Sequence, residues 1–363
     1  MKNRVEKIFN NCKKNPDLII IKNGTEPFID DNFFYVTGLK KGLFEGAVAV
    51  LFEDGNIELI IPQLEEESAK KADANINTYR DGKEFNEIFK RITISAKTVG
   101  LNFDKITYRD YNGIKQKYPN IDFPDISDAL STSRRTKDKI EMNLIKKAAK
   151  IADKAMEKVP DILSGDMHEY ELAAEINYLM QKYGADKVAF DTISSFGKNT
   201  AEPHYSHGNV KLVKGDFVLC DFGACFERYN SDMTRTFVFG KATEMQKDMH
   251  ETVLQAQKIG FEKIQEGIAA HEVHDTVESF INSTKFKGRF IHSTGHSLGL
   301  AVHDGSVNFS QNCNVKLQEN MILTVEPGVY VSGFGGVRIE DDILIKSDGI
   351  EILTKTPREL IEI

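Results

Sequence analysis

The stretch DFGACFERYNSDMTRT, residues 221 to 236, constrains this chain more than any other. It opens inside FVLCDFGACF (217–226), a run as apolar as a buried strand, yet Asp221 stands in its middle. A second carboxylate, Asp232, precedes another strand-like run, TRTFVFG. An unpaired ionised carboxylate inside an apolar strand is costly, so each must be paired, protonated or bound to a cation.

Three more positions share this character. His296 lies in FIHSTGHSLGLAVHDG (290–305) between glycines that permit close backbone approach. Glu326 follows the apolar run MILTV and precedes Pro327-Gly328, and Glu340 sits in GGVRIEDDILI, read as an apolar strand. Taken singly, each has an ordinary explanation: a hairpin-closing Asp232, a hydrogen-bonded loop histidine, a solvent-facing Glu326, a Glu340 paired with Arg338. Together, four carboxylates and an imidazole make a hard-ligand set suited to Mn²⁺, Co²⁺, Fe²⁺ or Zn²⁺ rather than copper or an iron–sulfur cluster. Four negative charges exceed what one divalent cation balances, so two cations are expected, about 3.5–4 Å apart as in hydrolytic two-metal sites.

Length and periodicity place these residues in the second of two domains. A chain of 363 residues exceeds one modest core. Residues 1–128 alternate helical and strand patterns and read as an α/β domain: a charged helix (3–14), DLIII (17–21), and EGAVAVLFE and IELII flanking the turn DGN. A polar helix (63–74), a helix at 81–92 and the run 98–103 follow. Residues 129–363 begin with a linker from 130 into a long helix, then a helix at 167–185. Strands with polar interruptions and helices near 244–265 and 271–283 follow, giving an α+β domain of antiparallel character.

The net charge of −8 favours neither nucleic acid nor an acidic membrane as partner. No apolar run reaches the roughly 20 residues of a membrane span, and the charged N-terminus lacks a signal-peptide core. Cys12, Cys220, Cys225 and Cys313 show no metal or redox spacing, so a reduced, cytoplasmic protein is expected.

The second half, about 135 to 363, resembles the pita-bread metallopeptidases, the family of methionine aminopeptidase, Xaa-Pro aminopeptidase and prolidase. The residues that carry the likeness are DFGACFERYNSDMTRT, TGHSLGLAVHD, LTVEPGVY and GVRIED, in that order. The first half, with NFFYVTGL (32–39), resembles the creatinase/prolidase N-terminal domain, which simple methionine aminopeptidases lack. One departure is visible: Arg228 stands before Tyr229 where the family usually has Gly.

The resemblance implies a dinuclear site held by Asp221, Asp232, His296, Glu326 and Glu340, with Asp232 and Glu340 bridging. It gives His204 and His303 a role at the substrate and the tetrahedral intermediate, and places His292, Tyr330 and Arg338 as pocket-lining or supporting residues. His207, His271 and His274 read as ordinary histidines. The expected activity is hydrolysis between an N-terminal residue and proline in di- or oligopeptides, by water activated between Mn²⁺ or Co²⁺ ions (Zn²⁺ or Fe²⁺ also fit), with Glu326 as general base. The resemblance also implies a homodimer. The rival readings are a metal-free creatinase-like C–N hydrolase and a non-enzymatic binding module on the same fold; the filled ligand set argues against both.

Overall fold

The computed structural model describes all residues, 1–363. By internal contacts the chain divides into two compact units, Met1–Arg134 and Arg135–Ile363.

The first unit is built on a five-stranded mixed sheet. Its strands are β1 (Leu18–Lys22), β2 (Val48–Leu51), β3 (Ile57–Pro62), β4 (Asn75–Tyr79) and β5 (Val99–Leu101), in the order β4-β3-β2-β1-β5. The Asp54-Gly55 turn closes the β2–β3 hairpin, with Gly55 at φ 85° and Phe52 N–H donating to Asn56 O at 3.0 Å. Strand alternation gives one face Leu18, Ile20, Val48, Val50, Ile60, Val99 and Leu101, which pack with Phe89 of the helix Gly82–Thr93 and with Tyr111 and Ile114 of the helix Tyr108–Lys117. Ile19, Ile21, Ala49, Leu51, Leu59 and Ile61 supply the buried opposite face.

Two sequence expectations change here, and one helix appears that the sequence did not signal. The polar segment 63–74 is only a single 3₁₀ turn, Gln63–Glu65, and a four-residue helix, Glu66–Ala69, because pairing with β3 captures Asn75–Tyr79 as a strand. DNFFYVT forms a helix, Asp31–Thr37, capped by the Asp30 carboxylate at its start and by left-handed Gly38 at its end. Residues Ser127–Arg135 are helical rather than the start of a linker.

The second unit carries its strands inside and its helices outside. Strands β6 (Lys187–Val188), β7 (Ile193–Phe196), β8 (Phe217–Phe222), β9 (Ala224–Phe226), β10 (Tyr229–Asn230) and β11 (Met233–Val238) form two small sheets, β11-β8-β7 and β10-β9-β6. The helices Lys139–Met156 and Glu169–Lys182 share a core with them. Strands β12 (Ile322–Val325), β13 (Gly328–Val331), β14 (Gly335–Arg338), β15 (Asp341–Lys346) and β16 (Gly349–Ile352) follow, against the helices Glu244–Lys263 and Ala270–Asn282. No helix is long and apolar enough to cross a membrane.

The opening stretch folds as an interrupted hairpin. β8 pairs antiparallel with β11, Asp221 opposite Thr234. The tip reverses through Glu227 and Arg228, at φ 46° and 76°, so Arg228 adopts the left-handed backbone for which Gly is the low-cost residue. Gly223 divides β8 from β9, and a Cβ there would lie 1.8 Å from Ser231 O. Gly223→Ala should therefore force the two strands apart and destabilise the unit by roughly 2–3 kcal/mol or more, read as a lowered denaturation midpoint. An unchanged midpoint would show that the close approach is not required.

Candidate active site

The strand pairings that build the second unit also gather its ionisable groups. One cavity of about 440 Å³ is lined by Asp221, Asp232, His296, Glu326 and Glu340, and also by His204, His292, His303 and Arg338. Phe190, Ile193, Pro203, Ser293 and Val302 complete its wall. Ligand atoms of Asp232, His296 and Glu340 all lie within 4.8 Å of one another. His296 Nε2 is 3.6 Å from Asp232 Oδ2 and 3.5 Å from Glu326 Oε1. Asp221 shares the cavity, with Oδ2 accepting from Arg338 Nη2 at 2.5 Å.

Local pairing explains how each side chain is aimed. Glu340 occupies the break between β14 and β15 rather than a strand interior. Its N–H donates to Thr234 O, and the Thr234 hydroxyl donates to its Oε2 at 2.6 Å. Glu326 follows β12, its N–H held by Thr294 O and its Oε1 accepting from the Thr324 hydroxyl at 3.2 Å. The segment 294–297 runs against β12, with Thr324 N–H donating to His296 O and His296 N–H to Thr324 Oγ1. Gly295 makes that approach possible, since a Cβ there would lie 1.9 Å from Thr324 O.

A second layer holds the first. Arg338, 3% exposed, donates to Asp221, to Thr234 Oγ1, to Tyr330 Oη at 2.9 Å and to Pro203 O at 3.3 Å. Tyr330 Oη lies 2.8 Å from His292 Nε2, while His292 Nδ1 faces Ser293 O and must carry the proton there. Burial, then the Arg338 charge, pushes His292 down to about 3, so its ring is neutral. Burial also pushes His303 down to about 4 and Tyr330 up to about 12. The His303 ring lies 4.1 Å from the His296 ring, centroid to centroid, tilted at 54°. His207 bonds Thr192 O, and His274 packs outside the cavity against Thr294 and Phe290.

Thr234, Thr324 and Asp342 also shape the site, without standing out in the sequence. Each threonine stands two residues from a carboxylate, Asp232 or Glu326, the strand period that puts both on one face. Asp342, buried, accepts from Asp232 N–H at 3.1 Å and begins an apolar run much as Asp221 interrupts one.

The donor set fits divalent cations. Asp221 Oδ1 and Asp232 Oδ1 are buried without a hydrogen-bond partner. The His296 Nδ1 edge faces Ser297 O at 3.4 Å, leaving the Nε2 lone pair aimed at two carboxylates, an arrangement that is repulsive until a cation lies between them. Burial and then mutual repulsion raise Asp232 and Glu340 well above the usual carboxyl range. Burial, with Asp221 adding to it against Arg338, raises Glu326 to about 7.

These shifts have a sign that can be tested. In the metal-free protein these carboxyls bind protons that their unfolded counterparts have lost, so stability falls as pH rises through about 7. His292 and His303, whose values are lowered, act in the opposite sense, but only below their ordinary value near 6.5. Metal-free protein should therefore melt at a lower temperature at pH 8 than at pH 6.5. Mn²⁺ binding at pH 6.5 should release about one proton or more, seen as a dependence of calorimetric heat on buffer ionisation enthalpy. Proton-neutral binding would overturn this account of the carboxylate cluster.

Known proteins share this arrangement of chain and fold. The model of metallopeptidase family M24 matches residues 143–347, and that of the creatinase/prolidase N-terminal domain matches residues 7–136. The Xaa-Pro dipeptidase of Pyrococcus furiosus is 35% identical over 362 residues, 99% of this chain and 100% of that protein. The crystal structure of the prolidase from Pyrococcus horikoshii OT3 superposes with a TM-score of 0.90 at 35% identity, covering 99% of this chain and 100% of that one. The X-Pro aminopeptidase from Thermotoga maritima MSB8 superposes with a TM-score of 0.92 at 29% identity, again over 99% and 100%. With both halves matched in order, the chain belongs to metallopeptidase family M24, as a hydrolase with a pita-bread catalytic domain behind a creatinase/prolidase N-terminal domain.

Proposed function

We propose that this enzyme is a metal-dependent exopeptidase that hydrolyses the bond between an N-terminal residue and proline. The observation that carries the reading is the meeting of Asp232, His296 and Glu340 ligand atoms within 4.8 Å, in a cavity also lined by Asp221 and Glu326. The names borne by relatives of matching length, Xaa-Pro dipeptidase and prolidase, support the substrate class.

Charge balance favours a dinuclear site. Four carboxylates face one guanidinium in the cavity. One divalent cation leaves that set net negative, and two leave it slightly positive, ready for charge developing on a scissile carbonyl. Asp221, Asp232, His296, Glu326 and Glu340 would hold the pair, with Mn²⁺ or Co²⁺ the first ions to supply. Bound there, the cations would acidify a water to serve as nucleophile near neutral pH and polarise the scissile carbonyl.

The chain's own groups do the rest. Glu326, its Oε1 steadied by Thr324, stands at the edge of the ligand cluster and serves as general base and then proton donor. His204 and His303, on the cavity wall, hydrogen-bond the substrate and its developing oxyanion. His292, neutral and fixed by Ser293 O and Tyr330 Oη, bounds the pocket beside apolar Phe190 and Ile193, surfaces suited to a proline ring.

One feature bears on substrate length. Arg338 is the sole arginine or lysine lining the cavity, and its nitrogens are committed to Asp221, Thr234, Tyr330 and Pro203. The free carboxylate of a dipeptide therefore meets no spare fixed cation among the lining residues, so Xaa-Pro-Xaa peptides should be cleaved as well as Xaa-Pro dipeptides.

The test is hydrolysis of Gly-Pro, Ala-Pro and an Ala-Pro-Xaa tripeptide by metal-stripped enzyme with and without Mn²⁺ or Co²⁺. Metal-dependent release of the first residue from dipeptide and tripeptide alike is expected. Asp232→Asn and Glu340→Gln should bring activity to background with the fold retained, and Glu326→Gln should lower kcat by about 10²- to 10⁴-fold. Near wild-type turnover in the first two variants would remove the metal reading, and strict rejection of the tripeptide would remove the length reading.

A further inference from the structure

The His204 loop has an anchor that lies outside the cavity. Residues 196–208 leave β7, pass through the 3₁₀ turn Gly197–Ala201, and bring Pro203 and His204 to the cavity wall. His204 itself is exposed and no strand holds it, so its placement depends on what fixes the loop on either side.

On one side the catalytic strands do this, through Gly336 N–H donating to Thr200 Oγ1 at 2.7 Å and Arg338 Nη1 donating to Pro203 O. On the other side, besides Tyr170 N–H donating to Gly208 O at 3.2 Å and His207 at Thr192 O, one carboxylate gathers four bonds. Glu169, the first residue of the helix Glu169–Lys182, is wholly buried. Its Oε1 accepts from Phe196 N–H at 2.8 Å and Asn199 Nδ2 at 3.0 Å. Its Oε2 accepts from Tyr205 Oη at 2.9 Å and Gly208 N–H at 3.0 Å. All four donors belong to the loop, two before His204 and two after it. They account for the usual acceptor capacity of a carboxylate, at a helix N-terminus where negative charge is favoured.

We infer that Glu169 is a positioning residue for the peptidase reaction, fixing the 196–208 loop so that His204 meets the substrate. The inference rests on the role proposed for His204 above. Glutamine at this position has nearly the same shape but one acceptor atom instead of two, so two of the four donors would face an amide N–H₂ and the loop would shift.

The experiment is a double-mutant cycle on the full-length, Mn²⁺-loaded enzyme with Ala-Pro as substrate. Glu169→Gln should lower kcat/KM by roughly ten- to a hundredfold, as small misplacements of positioned groups do, with Mn²⁺ affinity unchanged. In a His204→Ala background the same substitution should change kcat/KM within about twofold, because the group it acts through is gone. Tyr205→Phe removes one of the four donors without touching the carboxylate. It should show the same coupling to His204 at smaller amplitude, and it supplies the result if Glu169→Gln does not fold. Full additivity with His204→Ala, or loss of Mn²⁺ affinity in step with activity, would reduce Glu169 to a structural residue and overturn the inference. Wild-type activity in Glu169→Gln beside an impaired His204→Ala would overturn it while sparing the role of His204. Wild-type activity in His204→Ala would remove that role and the inference with it.

Discussion

Repulsion among buried carboxylates is the constraint that the rest of the catalytic unit serves. Two like charges 4 Å apart cost about 4 kcal/mol at an effective dielectric constant near 20, and here Asp221, Asp232, Glu326 and Glu340 line one cavity, with ligand oxygens of Asp232 and Glu340 within 4.8 Å. Unsupported side chains would turn away into solvent or remain protonated. Here they cannot turn away, because every one is attached to a strand or strand end fixed by antiparallel pairing: β8 with β11, β12 with β15. Strong secondary structure keeps weakly compatible groups together, and burial first, then repulsion from neighbouring carboxylates, raises the pKa values of Asp232, Glu326 and Glu340.

Beneath the cavity lies a second charged layer of the opposite kind. Asp341 accepts from Arg235 Nη2 at 2.7 Å, Thr354 Oγ1 at 2.7 Å, Gln257 Nε2 at 2.9 Å and Arg358 Nε at 2.6 Å. Arg235 also donates to the carbonyls of Thr234, Glu340, Thr356 and Pro357. A buried ion pair satisfied on all sides contributes little net stability compared with an apolar replacement, but breaking it is expensive. Its value here is geometric. Arg235 ties the backbone of β11 to that of Glu340, so two carboxylates from segments about a hundred residues apart keep one spacing.

The contrast between these layers explains how much the sequence disclosed. Asp221, Asp232, Glu326 and Glu340 were visible because a charge in an apolar run is anomalous. The same rule would flag Asp341, while Asp153 and Glu169, also buried, stand among charged and polar neighbours in sequence. What separates them is the number of donors. Asp341 and Glu169 each have four, and Asp153 accepts from Lys355 N–H, Thr356 N–H and Thr356 Oγ1, whereas one oxygen each of Asp221 and Asp232 has none. Those donors lie tens to hundreds of residues away, so local sequence cannot count them. Asp342 shows the limit of counting as well, since its Oδ1 lacks a partner although it does not line the cavity. His296 stood out only in company with the carboxylates, and His204, His292 and His303 were placed by resemblance. In the fold, long periodic helices such as Lys139–Met156 and Glu244–Lys263 were legible, while the helix expected over 63–74 is cut to Glu66–Ala69 because the chain must cross over there to enter β4 at Asn75.

Thr234 and Thr324 aim the two glutamates of the cavity. Each hydroxyl accepts an N–H on one side, from Arg338 Nε at 3.1 Å or His296 N at 3.1 Å, and donates its only proton to a glutamate on the other, Glu340 or Glu326. Because the accepted N–H orients the hydroxyl, the proton has one direction left, and one oxygen of each glutamate is fixed while the other stays available. Threonine suits this task better than serine: its branched Cβ restricts χ1 and packs well in a strand, so the hydroxyl is aimed before any ligand arrives. A site whose carboxylates are aimed by neighbours that are themselves locked loses little freedom on taking up cations, and the repulsion stored in the folded chain is then relieved by the very ions the reaction needs.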